Sequence, residues 1–181
     1  MDGSICLWAS KGVRCDTLLG HSATISKIMA DDNNTLISAS YDCTLRIWPL
    51  KFSKFKHKNC GEVLVGKHKS PVMDFDWRNR LVVSGDKTGL CVFWDINTGQ
   101  SVFQSRCHKG GVNCVKLFDQ DDGAVAVTGG LKDGIVNIFD LRTHKPVGSL
   151  KTHKACVTSI QKIDGGVVST GTDSIISVFR K

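Results

Sequence analysis

Gly20-His21, followed farther on by Asp42-Cys43-Thr44-Leu45-Arg46-Ile47-Trp48, is the stretch that decides the fold, because both halves of it come back along the chain. His68, His108 and His153 stand in company similar to that of His21. Counting four, seven and nine residues on from each gives Ile25, Ile28 and Ala30; Val72, Phe75 and Trp77; Val112, Val115 and Leu117; and Val157, Ile160 and Lys162. Eleven of these twelve positions are apolar, and the His-to-His spacings are 47, 40 and 45 residues. The second landmark is an Asp followed six residues later by an aromatic: Asp2 and Trp8, Asp42 and Trp48, Asp133 and Phe139, Asp173 and Phe179. Thr88 and Trp94 fill the one gap. Its spacings are 40, 46, 45 and 40, so two independent landmarks keep one period, which is the signature of a repeat architecture.

Short β-type runs lie between the landmarks, at 35–40, 81–84, 124–128 and 167–170, and again at 45–48, 90–94, 135–139 and 175–179. Turn clusters such as Asp31-Asp32-Asn33-Asn34, Asp121-Asp122-Gly123 and Asp164-Gly165-Gly166 separate them. No window carries a helical period. Each unit therefore holds about four strands. A lone sheet of that size cannot bury both faces, whereas radial stacking on copies of itself can. The expected units are a half repeat at 1–19 and repeats at 20–66, 67–106, 107–151 and 152–181.

The residues that carry a family likeness are Gly20-His21, Asp42 to Trp48, Val92-Phe93-Trp94-Asp95 and Asp133 to Asp140. On these the chain resembles the WD-repeat family along nearly its whole length. The resemblance implies an all-β propeller of about four blades, each of four antiparallel strands. Propellers of this family generally close with seven or eight blades, so the chain is expected to be part of a larger ring, completed by further sequence or by another chain. A short protein closing on itself is the alternative.

The resemblance also implies a buried relay in each repeat, from aromatic N–H to Ser or Thr hydroxyl to His to Asp. A buried imidazole and carboxylate are costly unless satisfied. The first repeat has the whole set: His21, Ser38, Asp42 and Trp48. The second has His68, Ser84 and Trp94, with Thr88 at the Asp position. The third has His108 and Asp133, with Gly129 and Phe139 in the other slots. The fourth has His153, Ser169 and Asp173, with Phe179. Phe donates no hydrogen bond, so the relay is expected to be partial in three blades. Ser, His and Asp together invite comparison with a catalytic triad, but their recurrence at repeat spacing favours a structural role. No phosphate loop, dinucleotide fingerprint or HExxH motif is present, and no enzyme activity, cofactor or metal is expected.

Partners of propellers resembling this one bind the face that carries the loop before each first strand and the turn between each second and third strand. Lys69, Lys109 and Lys154 directly follow a landmark His. Tyr41, Lys87, Lys132 and Thr172 precede the second landmark, and Lys67 and Lys151 lie near. Lysine thus gathers on one expected face, in a chain whose net charge is +7. The plain reading is a solvated rim that keeps the protein soluble. The functional reading is an acidic protein partner. Nucleic acid is less favoured, since only Tyr41 offers an aromatic for stacking. A further alternative is a cullin-RING ubiquitin-ligase substrate receptor. The run Val127 to Arg142 is similar to the box of such receptors, in which Asp140 and Arg142 would contact the adaptor; Asp140 could equally just close its turn. The basic segment Lys51 to Lys58, with Phe52 and Phe55, reads as a long solvated loop or as a contact for anionic lipid.

No run approaches the roughly 18–20 apolar residues that span a bilayer, and Met1 to Trp8 lacks the pattern of a signal peptide. A cytoplasmic or nuclear location is therefore expected. On that basis the eight cysteines (Cys6, Cys15, Cys43, Cys60, Cys91, Cys107, Cys114 and Cys156) read as buried, reduced core residues.

Overall fold

In the four-stranded sheets the second strand is buried on both faces, as stacking sheet upon sheet requires. The computed structural model describes residues 2–50, 62–64, 67–120 and 123–180, and among these there is no helix. The order is β1 (Ile5–Trp8) and β2 (Arg14–Leu18); β3 (Ile25–Ala30), β4 (Thr35–Ser40), β5 (Leu45–Pro49) and β6 (Glu62–Leu64); β7 (Val72–Arg78), β8 (Leu81–Asp86), β9 (Leu90–Asp95) and β10 (Gln100–Arg106); β11 (Val112–Gln120), β12 (Gly123–Gly130), β13 (Ile135–Asp140) and β14 (Pro146–Lys151); and β15 (Val157–Ile163), β16 (Gly166–Gly171) and β17 (Ile176–Arg180). Each group is one antiparallel sheet in chain order, giving sheets of two, four, four, four and three strands. Five of the six residues are buried in both β4 and β8, which a strand covered on two faces demands. Outer strand β10 alternates exposed and half-buried along its whole length, because one of its faces meets solvent.

The core is a series of layers between sheets. Ile37, Ala39 and Leu45 pack on Val72, Phe75 and Trp94. Val83, Cys91 and Phe93 pack on Val112, Val115 and Phe139. Val127 and Val136 pack on Val157, Ile160 and Val167. Ile5 and Leu18 of the first hairpin pack on Leu36 and Trp48. The aromatics of the second landmark thus face the preceding sheet. At about 25 cal/mol per Å2 of apolar area, these seams supply the main driving force for stacking. The propeller is open, as expected for part of a ring.

Each first strand also carries a bulge. The ladder shifts between Ile25 and Lys27, Val72 and Asp74, Val112 and Cys114, and Val157 and Ser159. A bulge re-aims the residue it leaves unpaired. Ser26 Oγ donates to the Val72 carbonyl at 2.8 Å, and Asn113 Nδ2 to the Val157 carbonyl at 2.8 Å, each reaching the next sheet. Asp74 and Asp76 accept from the Val115 and Leu117 amides, both at 2.7 Å, and Lys27 pairs with Asp74 at 2.7 Å. These inter-sheet polar ties fix the angle at which apolar layers alone would slide.

The reading of the cysteines needs correction. Cys91 and Cys107 are joined in a disulfide. Cys6 is exposed, Cys43 and Cys156 are half-buried, and Cys114 is buried. Apolar runs locate strands, but they do not say which side a thiol takes or what faces it. The basic segment Lys51 to Lys58 lies outside the described residues, as does Cys60.

Candidate functional site

Two sets of residues meet at one end of the sheets, a buried relay and a rim of loops standing on it. In the sheet of β3–β6, counted from here as the first because it is the first to carry a relay, Trp48 Nε1–H donates to Ser38 Oγ at 2.8 Å, Ser38 Oγ lies 2.7 Å from His21 Nε2, and His21 Nδ1 lies 2.8 Å from Asp42. Since the Asp42 carboxylate only accepts, the His21 proton sits on Nδ1; Nε2 of the neutral ring then accepts from the Ser38 hydroxyl, which accepts from the indole. Thr44 Oγ1 braces Asp42 at 2.6 Å, a partner the sequence reading missed.

The second sheet differs from expectation. Trp94 donates to Ser84 at 2.8 Å and Ser84 lies 2.7 Å from His68, but the carboxylate is Asp86, 3.0 Å from His68 Nδ1. Thr88, which was expected to replace the Asp, instead donates to Asp86 through both its amide and its hydroxyl, at 2.8 and 2.7 Å. Ser84 pairs with Val92 as Ser38 pairs with Arg46, so Asp86 falls at the position of Ser40 and Thr88 at that of Asp42. Carboxylate and hydroxyl have exchanged places in the turn, and the relay is whole.

In the third sheet the hydroxyl is that of Thr128, not a gap at Gly129: Thr128 Oγ1 lies 2.9 Å from His108 Nε2. Asp133 lies 3.1 Å from His108 Nδ1. Among the described residues no indole reaches this hydroxyl, because Phe139 stands in the aromatic slot, and a side-chain amide lies beside the imidazole instead. Asn137 Nδ2 lies 3.3 Å from His108 Nε2 and donates to the Cys107 carbonyl at 2.7 Å. In the fourth sheet His153 lies 2.9 Å from Ser169 and 3.0 Å from Asp173. Ser38 and Ser84 are buried between an indole and an imidazole, and Ser169 is buried against His153.

Burial lowers the pKa of His21 and of His108 below the ordinary 6.5, against the pull of Asp42 and Asp133. Burial pushes Asp42 and Asp86 up, but the hydrogen bonds they accept outweigh it and hold both below 3.8. Asp173 is held below 3.8 chiefly by the Lys154 amide. Below 6.5 the unfolded chain takes up protons that folded His21 and His108 refuse, so their contribution is complete above 6.5 and declines as the pH falls beneath it. The depressed carboxylates contribute fully above 3.8, and that contribution disappears as the pH falls through their lower folded values. The signs agree. Calorimetry should show the melting temperature falling already between about pH 7 and pH 5, in the histidine range, and falling again in the carboxylate range. A melting temperature unchanged across the first interval would contradict this account of the imidazoles.

The relay carboxylates also hold the loops above them. Asp42, Asp133 and Asp173 accept the amides of Ser22, Lys109 and Lys154 at 3.0, 2.9 and 2.9 Å. Each loop is tied to the neighbouring turn by one backbone bond: Tyr41 to Thr24, Lys87 to Pro71, Leu131 to Gly111 and Thr172 to Cys156, at 2.8, 3.0, 2.8 and 3.0 Å. The loop of Lys69 thus meets the turn of Lys87 through Pro71, and the loop of Lys109 meets the turn of Lys132 through Gly111 and Leu131. The Lys132 side chain runs over Gly110, where an added Cβ would meet Lys132 Cδ at 2.9 Å. Gly111, at φ +114, packs on the Lys87 carbonyl, which joins the second and third sheets. Tyr41, Lys69, Lys87, Lys109, Lys132 and Lys154 are all exposed. The carboxylates of these turns are turned inward to the histidines. At the opposite end, Asp140 accepts the amides of Arg142 and Thr143 at 2.7 and 3.0 Å, closing its own turn. Arg142 is exposed beside it.

Comparison with known proteins agrees with this architecture. The family model described as the WDR11 second beta-propeller matches residues 49–170, and the WD domain, G-beta repeat model matches residues 12–49. CCR4-associated factor 4 of Saccharomyces cerevisiae is 28% identical over 88% of this chain and 30% of its own length. The ribosome biogenesis protein WDR12 homolog of Aedes aegypti is 28% identical over 91% of this chain and 38% of its own. The chain thus spans about a third of the length of these relatives. The crystal structure of the computationally designed Ika8 protein superposes with a TM-score of 0.82 at 26% identity, over 99% of this chain and 53% of that one. The designed Ika4 protein gives 0.73 at 26% identity, over 89% and 93%. Landmark histidines, buried relays, stacked antiparallel sheets and two family models converge: the chain belongs to the WD-repeat β-propeller family.

Proposed function

We propose that this WD-repeat scaffold binds an acidic protein segment on the rim formed by Lys69, Lys87, Lys109 and Lys132, with Lys154 and Tyr41 at its flanks, and that it catalyses nothing. The observation that carries the reading is the segregation of charge. Lys69, Lys87, Lys109 and Lys132 are exposed on loops at one end of two neighbouring sheets, while the carboxylates of the same turns, Asp86 and Asp133, are turned to the histidines beneath them. A rim so arranged offers exposed donors, while the oxygens of the carboxylates beneath are already engaged. The relay acts as its pedestal. Lysine sets charge rather than fixed fork geometry, which suits a flexible acidic segment better than a single phosphate. No specific observation favours the ligase-receptor reading, because the Asp140 carboxylate is already occupied by its own turn. A further propeller segment is the second partner proposed, completing the ring. The reading carries with it a cytoplasmic or nuclear location.

The test is fluorescence anisotropy with a labelled glutamate-rich peptide and, in parallel, a labelled single-stranded RNA. The peptide is expected to bind more tightly at physiological salt. Tighter binding of the RNA, with an affinity that falls steeply as salt rises, would replace the protein reading with a nucleic-acid one.

A further inference from the structure

We infer that Cys91 and Cys107 form a reversible thiol–disulfide exchange site, whose oxidation by a small-molecule disulfide such as glutathione disulfide ties the end of β10 to β9 within one sheet, at the point where the Cys107 carbonyl meets the next sheet. The inference does not depend on what the lysine rim binds.

Four observations carry it. First, the pair belongs to one sheet only. Cys91 pairs with Gly85 as Leu45 pairs with Ala39, Val136 with Gly129 and Ile176 with Thr170, so its counterparts are Leu45, Val136 and Ile176. The counterparts of Cys107, each directly before a landmark histidine, are Gly20, Lys67 and Thr152. Packing of the repeat therefore requires no sulfur at either position. Second, the ladder brings them together. Cys91 lies opposite Ser105, and Cys107 is two residues on from Ser105, so both side chains leave the same face, with Cα atoms 6.5 Å apart.

Third, the two sulfurs differ in access. Cys91 is wholly buried, with 0% exposure, while Cys107 is half-buried at the end of β10. Fourth, Cys107 is a junction. Its amide and that of His108 both donate to the Gly89 carbonyl, at 2.9 and 3.3 Å, and its carbonyl accepts Asn137 of the third sheet at 2.7 Å. Lys109 follows two residues later. Cys114 makes the contrast. Burial pushes its thiol up to about 12, and it only donates to the Val157 carbonyl, so it stays protonated and inert.

The exchange balances without a further reagent. In reduction, the thiolate of one glutathione attacks Cys107 Sγ, the protein S–S bond breaks, and Cys91 leaves as thiolate and takes a proton from water. A second glutathione thiolate then attacks the glutathione sulfur of the mixed disulfide, releasing Cys107 as thiolate, which is protonated in turn. Two electrons pass to the protein pair, and two glutathiones become one glutathione disulfide. Oxidation is the reverse.

The experiment equilibrates the full chain in glutathione buffers of graded ratio, traps free thiols with iodoacetamide after acid quench, and maps the peptides by mass. The melting temperature is measured in the same buffers. The expected result is a Cys91–Cys107 linked peptide in oxidising buffer, both residues alkylated in reducing buffer, and a melting temperature lower by roughly 6–12 °C when reduced. Cys107→Ser should match the reduced protein and ignore the buffer. If that variant does not fold, the titration of the unaltered chain decides. Absence of the linked peptide at every ratio overturns the inference, as does a linked peptide that leaves the melting temperature unmoved.

Discussion

Asp86→Ala is expected to lower the melting temperature by about 10 °C, whereas Thr88→Ala lowers it by only about 2–4 °C. Asp86 accepts His68 at 3.0 Å, the Thr88 amide at 2.8 Å, the Thr88 hydroxyl at 2.7 Å and the Leu90 amide at 3.1 Å. The carboxylate and the imidazole are both about 1% exposed, so water replaces little of what is lost. Removing the carboxylate leaves the buried His68 ring and the Leu90 amide without their acceptor, at about 1–3 kcal/mol for each orphaned group, and in a chain of this size each kcal/mol moves the melting temperature by about 2–4 °C. Thr88→Ala removes one hydroxyl donor from a carboxylate that keeps its others, a loss of about 1 kcal/mol. Differential scanning calorimetry at neutral pH ranks the two. The opposite ranking would restore Thr88 to the landmark position and remove Asp86 from the relay.

Reversing two charges on the rim, with Lys109→Glu and Lys132→Glu in one chain, is expected to weaken binding of the glutamate-rich peptide by about 30-fold. Each reversal removes an attraction and adds a repulsion, each about 1 kcal/mol at contact distance in water. Screening at physiological ionic strength leaves about half of the sum, roughly 2 kcal/mol. Both side chains are exposed, so stability should change by no more than about 0.5 kcal/mol. Anisotropy titration gives the first quantity and calorimetry the second. Arg142→Ala should leave the titration unchanged, because Arg142 stands at the far end of the sheets. A double reversal that leaves affinity within twofold would return the rim to the role of a solvating surface.

The fold was legible because its signals are periodic. His21, His68, His108 and His153 mark the unit, and the aromatics at 48, 94 and 139 mark the packing seam. What was not legible depends on register. Counting six residues back from Trp94 lands on Thr88, yet Asp86 reaches the same imidazole from the other side of the turn. The cue in the sequence was Ser40 with Asp42 against Asp86 with Thr88, the same two chemistries in reversed order. The third unit spends one more residue between hydroxyl and carboxylate, from Thr128 to Asp133 where the first runs from Ser38 to Asp42, so a fixed offset falls on Gly129. Asn137 was missed because its amide reaches the imidazole from two residues before the aromatic slot. The Cys91–Cys107 bond was missed because only the pairing of Cys91 with Ser105 puts both sulfurs on one face. Lysine exposure in the rim followed from the repeat alone, but the contact between neighbouring loops needed the structure.

Acidic protein is proposed to bind the rim at one end of the sheets. Lysine acetylation footprinting with and without the glutamate-rich peptide tests it most directly, each lysine being read separately by mass. Lys69, Lys87, Lys109 and Lys132 are predicted to be protected, while Lys11 and Lys145, exposed in the turns at the opposite end, react as before. Protection centred on Lys11 and Lys145, or spread evenly over the chain, would contradict it.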